Sequence, residues 1–324
     1  MRRIRELDPA TYQRHLIHRE GRAWAETNCY VDVLIELLHG LGFEPIAALP
    51  FTVRIDFEGD QWTFFKFDHA DLLELYGLDI QELNPWRSLV HHVAEQVERG
   101  RPVLIEMDSY YLPDTHGTAY KLDHVKSTIA VNEIDAEERR MGYFHGQGYY
   151  HLDGRDFEDM YQLDGLAHER MLPPYIEYVK ILDRPRPRDG PELLEVSLGC
   201  LRKHLALLPT ENPFLSFRER FERDLEWLRG EPIDTFHTYS FATLRQYGAC
   251  FELVETYLQW LAEHGATSLE RPILAFHEIS ATAKTFQFQL ARAMARGRPL
   301  PLDPLDRMAG DWEAGVGGLV ERYG

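Results

Sequence analysis

The sequence predicts an α+β fold, one helix packed on a mostly antiparallel sheet, followed by an all-helical domain. Three observations predict it. An apolar stripe of helical period runs from Tyr30 to Leu41. From residue 102 to 182, apolar residues come in short β-branched and aromatic runs separated by turn residues. Beyond Arg184-Pro185-Arg186-Pro187-Arg188-Asp189-Gly190-Pro191 the pattern turns to long helices with no strand signal. The expected domains are therefore 1–190, with a basic N-terminal arm, and 191–324.

Each element follows in order. Tyr30, Val33, Leu34, Leu37, Leu38 and Leu41 share one helix face. Asn28 is the expected N-cap, and Gly40 or Gly42 the stop. Phe51, Val53, Ile55 and Phe57 alternate, Glu58-Gly59-Asp60 is a turn, and 61–67 is aromatic; this predicts a hairpin. Asn84 and Pro85 predict a helix start, with the helix running to Gly100. Residues 102–108 predict a buried strand and 109–122 a tyrosine-rich polar loop. Residues 125–134 and 139–145 predict two strands, and Tyr175–Leu182 a last one. Helices are expected at about 191–208, 214–229, 235–264, 268–296 and 304–322.

Composition bounds the function. At 324 residues, 44% hydrophobic, the chain can bury a real core. Three cysteines cannot build a disulfide framework and predict a reducing, cytoplasmic setting. The N-terminus has no apolar signal core, and no stretch has the length of a membrane span. A net charge of −18 argues against nucleic acid as a partner. Residues 1–22 run the other way, with six arginines against three acids. That arm is a solvated surface or a docking element for an acidic or phosphate-bearing partner.

The chemistry centres on Cys29, in Trp24-Ala25-Glu26-Thr27-Asn28-Cys29-Tyr30. A thiol in the first turn of a helix feels unpaired backbone N–H groups, which favour thiolate and can receive an oxyanion. Asp123-His124 precedes the strand-like run Ser127–Val131. A helix-borne cysteine and a histidine at a later strand start form the layout of papain-like cysteine enzymes. A free cysteine can equally be a small buried hydrophobe, and Cys200 and Cys250 fit that description. His15-x-x-His18 and His91-His92 lack the further ligands that a metal site needs, so no metal is expected.

These motifs resemble the N-terminal part of the butirosin-biosynthesis H-type acyltransferases. The resemblance rests on Glu26-Thr27-Asn28-Cys29-Tyr30, on Val103–Pro113 and on Asp123-His124, and covers about residues 20–150. It implies a papain-like fold and transfer of an acyl group from a carrier-protein thioester to an amine. It places Cys29 as nucleophile, His124 as base, and Asp108 and Tyr111 in the family's Asp-x-x-Tyr-Leu-Pro run. The whole chain is more similar still to an uncharacterised bacterial family, numbered 1839 among the domains of unknown function. That similarity implies a gene setting beside small carrier proteins and the ligases that load them with amino acids.

Two departures stand out. Papain-like enzymes carry a glutamine several residues before the cysteine; here Arg22 and Ala23 hold those positions, so Asn28, Glu26 or backbone would serve the oxyanion. The usual third catalytic position holds Phe144-His145. If 102–108 and 125–131 pair antiparallel, Asp108 lies beside His124, and His145 approaches from the other side. Either could orient the imidazole; only Asp108 could stabilise imidazolium as a carboxylate does. Trp24, Tyr111, Arg19 and Arg22 are the expected substrate contacts. The expected activity moves an acyl or aminoacyl group from the phosphopantetheine arm of a carrier protein to a small amine, with no bound cofactor. The alternatives are a cysteine hydrolase (thioesterase, amidase or peptidase) and a non-catalytic module that binds a carrier protein or ligand.

Overall fold

The computed structural model describes residues 2–19, 21–163, 173–183, 189–297 and 299–324. The chain divides into two compact units that interleave in sequence: 1–19, 28–45 and 68–188, then 20–27, 46–67 and 189–324. Among the described residues no helix is long and apolar enough to cross a membrane.

The first unit is built on an antiparallel sheet. Its strands are β1 (Arg2–Arg3), β2 (Leu78–Glu82), β3 (Val103–Asp108), β4 (Lys126–Asp135), β5 (Arg140–His145), β6 (Gly148–Asp153) and β7 (Ile176–Ile181). They run in the order β2-β7-β3-β4-β5-β6, with β1 beside β4. Strand side chains alternate between faces. Val103, Ile105 and Met107 share a face with Ser127, Ile129, Val131, Tyr143 and His145, as the register dictates. A bulge between Val131 and Glu133 breaks the alternation. That face is apolar and packs on helix α3 (Leu89–Glu98) and helix α4 (Gly154–Met160).

Helix α1 (Cys29–Leu41) lies on the opposite face. Asn28 Oδ1 accepts the Val31 N–H at 3.0 Å, and Gly42 ends the helix in the left-handed conformation, φ 84°. The helix sits close to the sheet: a Cβ at Gly40 would lie 2.5 Å from the Phe144 ring. Asp32 and Glu36 of α1 are buried as well, against the arm that precedes the helix. His18 holds Glu36 at 2.5 Å and Asp32 at 3.3 Å, while the Tyr12 hydroxyl and His15 N–H also bond Glu36. Burial works against a charged His18, but the two carboxylates outweigh it and raise its pKa above the usual imidazole value. His15-x-x-His18 thus serves this buried polar cluster. Helix α2 (His69–Tyr76), with Asp68 as its N-cap, completes the unit.

The second unit is helical: α5 (Gly190–Leu205), α6 (Pro213–Leu228), α7 (Ile233–Ser240), α8 (Gln246–Glu263), α9 (Glu270–Arg296) and α10 (Asp303–Tyr323). Phe214, Phe217, Phe221, Tyr247, Phe251, Phe276 and Phe286 fill its core. The helix expected over 235–264 is divided by a π-helical turn, Phe241–Arg245. Of the proline-rich linker expected at 184–191, residues 184–188 lie outside the described residues, and Gly190 and Pro191 already open α5.

Two expectations are corrected. Residues 51–67 do not form a ladder: Pro50–Arg54 is a 3₁₀ turn, and a single bridge joins Phe57 and Trp62. Pro50 presets helical φ, and the alternating residues are buried together in the second unit, so the period-2 pattern reflected burial rather than strand. The helix expected from Asn84 begins instead at Leu89, because Trp86 and Arg87 give their N–H groups to His92 Nε2. Strands β2 and β6 and helices α2 and α4 had no counterpart in the sequence reading.

Candidate active site

Cys29 occupies the first position of α1 and is partly exposed. Its sulfur lies 3.5 Å from the Thr128 hydroxyl, which donates to it from β4. Thr128 is 3% exposed and points to the helix side of the sheet. Its backbone partner across the ladder is Glu106, and the next pair on the same face is Lys126 and Asp108. The Lys126 ammonium bonds Glu106 at 2.8 Å. Of the first-turn amides, those of Val31 and Asp32 are taken by Asn28; that of Cys29 makes no hydrogen bond among the described residues.

His124 stands two residues before β4. Its Nδ1 lies 2.5 Å from Asp108 Oδ2, and the other carboxylate oxygen accepts the Tyr110 N–H at 3.0 Å. The Tyr110 ring stacks on the imidazole, centroids 4.4 Å apart and nearly parallel; Tyr111 meets it edge-on at 6.4 Å. With Nδ1–H committed to the carboxylate, Nε2 is left to accept a proton. The His124 side chain is 66% exposed, open to a reactant. Among the described residues no hydrogen bond joins His124 to Cys29. The Asp108–Lys126 pair sits one register step, about 7 Å, along the ladder from Thr128.

The structure therefore brings Asp108 and His124 together and sets Cys29 on Thr128 nearby on the same face. It does not bring His145 to His124. His145 registers with Ile129, so it belongs to the other face, where Nδ1 meets Asp114 at 2.5 Å and Nε2 meets Ser127 at 2.6 Å. An odd or even position decides which side of a strand a residue serves. Asn28 spends its side-chain oxygen on the helix cap. Tyr111 is half-buried, with the Lys121 ammonium 5.0 Å over its ring. Arg19 is exposed.

Arg22, Trp24 and Glu26 belong to the second unit. Arg22 grips Glu252 through two nitrogens, at 3.1 and 2.8 Å. Trp24 is 2% exposed; its indole N–H donates to Ser280, and Lys284 lies 4.3 Å over its ring. Glu26 pairs with Arg245 at 3.3 Å.

Sequence reasoning missed Thr128, Ser127 and Asp114. The hydroxyl residues carry no motif, since β-branched and small polar residues are ordinary in strands. Their roles appear only once the register is known.

Comparison with curated proteins found no match. Residues 13–181 match the DUF1839 N-terminal domain, and residues 190–321 match the DUF1839 C-terminal domain. The first match spans the end of the arm, the Cys29 helix and strands β2 to β7 of the His124 sheet, and the second spans the helical region. The chain belongs to the DUF1839 family.

Proposed function

We propose that this protein is a papain-like, cysteine-dependent acyltransferase. Cys29 takes an acyl or aminoacyl group from the phosphopantetheine thioester of a carrier protein and passes it to a small amine. One observation carries the reading: the Asp108–His124 pair, exposed at the end of the strand pair whose Thr128 contacts the Cys29 sulfur.

In this reading the Cys29 thiolate attacks the thioester carbonyl. The Cys29 N–H receives the oxyanion, and His124 returns its proton to the departing pantetheine thiol. The amine then attacks acyl-Cys29 and gives its proton to His124 Nε2, while Asp108 holds the imidazole in the Nδ1–H form. The exposed Arg14 and Arg19 supply positive charge for the arm's phosphate against a net charge of −18. Water in place of the amine would make the same centre a hydrolase.

A rival reading has its own observation. The group touching the thiol is the Thr128 hydroxyl, and no imidazole bonds it among the described residues. That favours a binding module on the same fold. Intact-mass measurement after mixing with an acyl-loaded carrier protein separates the two. The acyltransferase gains the acyl mass, loses the gain in Cys29→Ser, and releases amide when amine is added. A binding module gains no mass.

A further inference from the structure

A second imidazole–carboxylate pair lies on the opposite face of the same sheet end, and its connections are complete. Ser127 Oγ lies 2.6 Å from His145 Nε2, His145 Nδ1 lies 2.5 Å from Asp114 Oδ2, and the Tyr143 hydroxyl donates to Asp114 Oδ1 at 2.5 Å. The order of atoms is that of a Ser–His–Asp relay. Access argues against a second nucleophile. Ser127 and His145 are each 8% exposed, and Tyr143 is fully buried. Asp114 comes from the loop 109–125, which folds over that end of the sheet with Leu112 fully buried beneath it.

The loop's two ends are what matter for the candidate site. It leaves from Asp108 and returns to His124, the pair that forms the proposed base. It is closed on itself by Ser109 N–H to Val125 O, Lys121 N–H to Tyr110 O and Thr115 Oγ to Ser109 O. Its midpoint is tied to the sheet by Asp114. The carboxylate there binds two strand-borne donors, and His145 passes the tie on to Ser127, next to Thr128. Burial and the Asp114 charge both hold the Tyr143 phenol protonated, so it remains a donor.

We propose that Asp114, His145 and Ser127 are positioning residues. They fix the base loop and the start of β4, so that the Asp108–His124 pair is held in one tautomer and in register with Thr128 and Cys29. This deepens the acyltransferase reading and, for the catalytic part, rests on it.

The test is nitrogen-15 NMR of the His124 ring, which needs no acyl donor. In the native protein the Nδ1–H tautomer should dominate. In Asp114→Asn and His145→Gln it should give way to a mixture, and acylation of Cys29 by a small thioester should slow by about ten- to a hundredfold, the scale of a misplaced reacting group. Ser127→Ala deletes a single hydroxyl and should move both readouts in the same direction by less; it keeps the test alive if the other variants unfold. An unchanged His124 tautomer in all folded variants overturns the proposal. So does fluorophosphonate labelling of Ser127 in Cys29→Ala protein, which would make the serine a nucleophile. Absence of Cys29 acylation in the native protein defeats the acyltransferase reading but leaves the tautomer result to judge the relay.

Discussion

Two imidazole–carboxylate pairs sit at one end of the sheet with the same 2.5 Å separation and opposite surroundings. Asp108–His124 is open, with side chains 35% and 66% exposed; Asp114–His145 is closed, at 5% and 10%. A short hydrogen bond alone does not mark a base. The open pair leaves Nε2 without a protein partner among the described residues, whereas the closed pair spends both nitrogens on the fold. The difference follows from strand parity: Asp108 shares a face with Thr128 and helix α1, His145 with Ser127 and the apolar core.

The comparison breaks most sharply at His124. His124→Ala should slow acyl transfer by about 10²- to 10⁴-fold, the usual contribution of a general base, while an exposed substitution should change stability by under about 0.5 kcal/mol. Kinetics and thermal melts on one preparation check both halves. A large loss of stability with unchanged turnover would exchange the roles of the two pairs.

His18 extends the comparison to a third imidazole, wholly buried between two carboxylates. Removing it as His18→Ala leaves Asp32 and Glu36 buried without their shared cation and should cost about 3–5 kcal/mol by denaturant titration. Its pKa is raised on folding. Its stabilisation is therefore fully present below the ordinary imidazole value and fades as pH rises through the raised one. The melting temperature should fall over that alkaline-going interval in the native protein, and His18→Gln should remove that part of the slope.

Asp114→Ala strands the Tyr143 hydroxyl and His145 Nδ1 in a buried place. It should cost about 2–3 kcal/mol, read from the urea midpoint at constant m-value. The smallest effect belongs to the cap of helix α1. Asn28→Ala removes the Oδ1 bond to Val31 N–H and should cost about 1 kcal/mol, a shift of a few degrees in the melt.

How far these sites could be read before the structure depends on the range of the signal. The Asn28 cap and the α1 stripe are local, and so are the apolar runs of β3, β4 and β5 and the long C-terminal helices; all were legible. The neighbourhood of Asp108 and His124 followed from one assumption, antiparallel pairing, because strand ends and strand starts must then meet. The polar β6 and the short β2 have no strong period and were missed. Residues 51–67 misled because turns and irregular chain can also bury every second side chain, here Phe51, Val53, Ile55 and Phe57, without forming a ladder. Thr128, Ser127 and Asp114 were invisible for a different reason: the two hydroxyl residues acquire their roles from a register one residue wide, and Asp114 from a loop folding back on strand β5, neither of which a local pattern encodes.

The most direct test of the central claim is a time course of intact mass. Native protein, His124→Ala and His145→Ala would each be mixed with an acyl-pantetheine thioester. The account predicts a one-acyl adduct on Cys29 in the native protein, formed at least about a hundredfold more slowly in His124→Ala. In His145→Ala, at a temperature where it stays folded, the adduct should still form, within about ten- to a hundredfold of the native rate. Equal adduct rates in native protein and His124→Ala, or no adduct on Cys29 in any of the three, would contradict it.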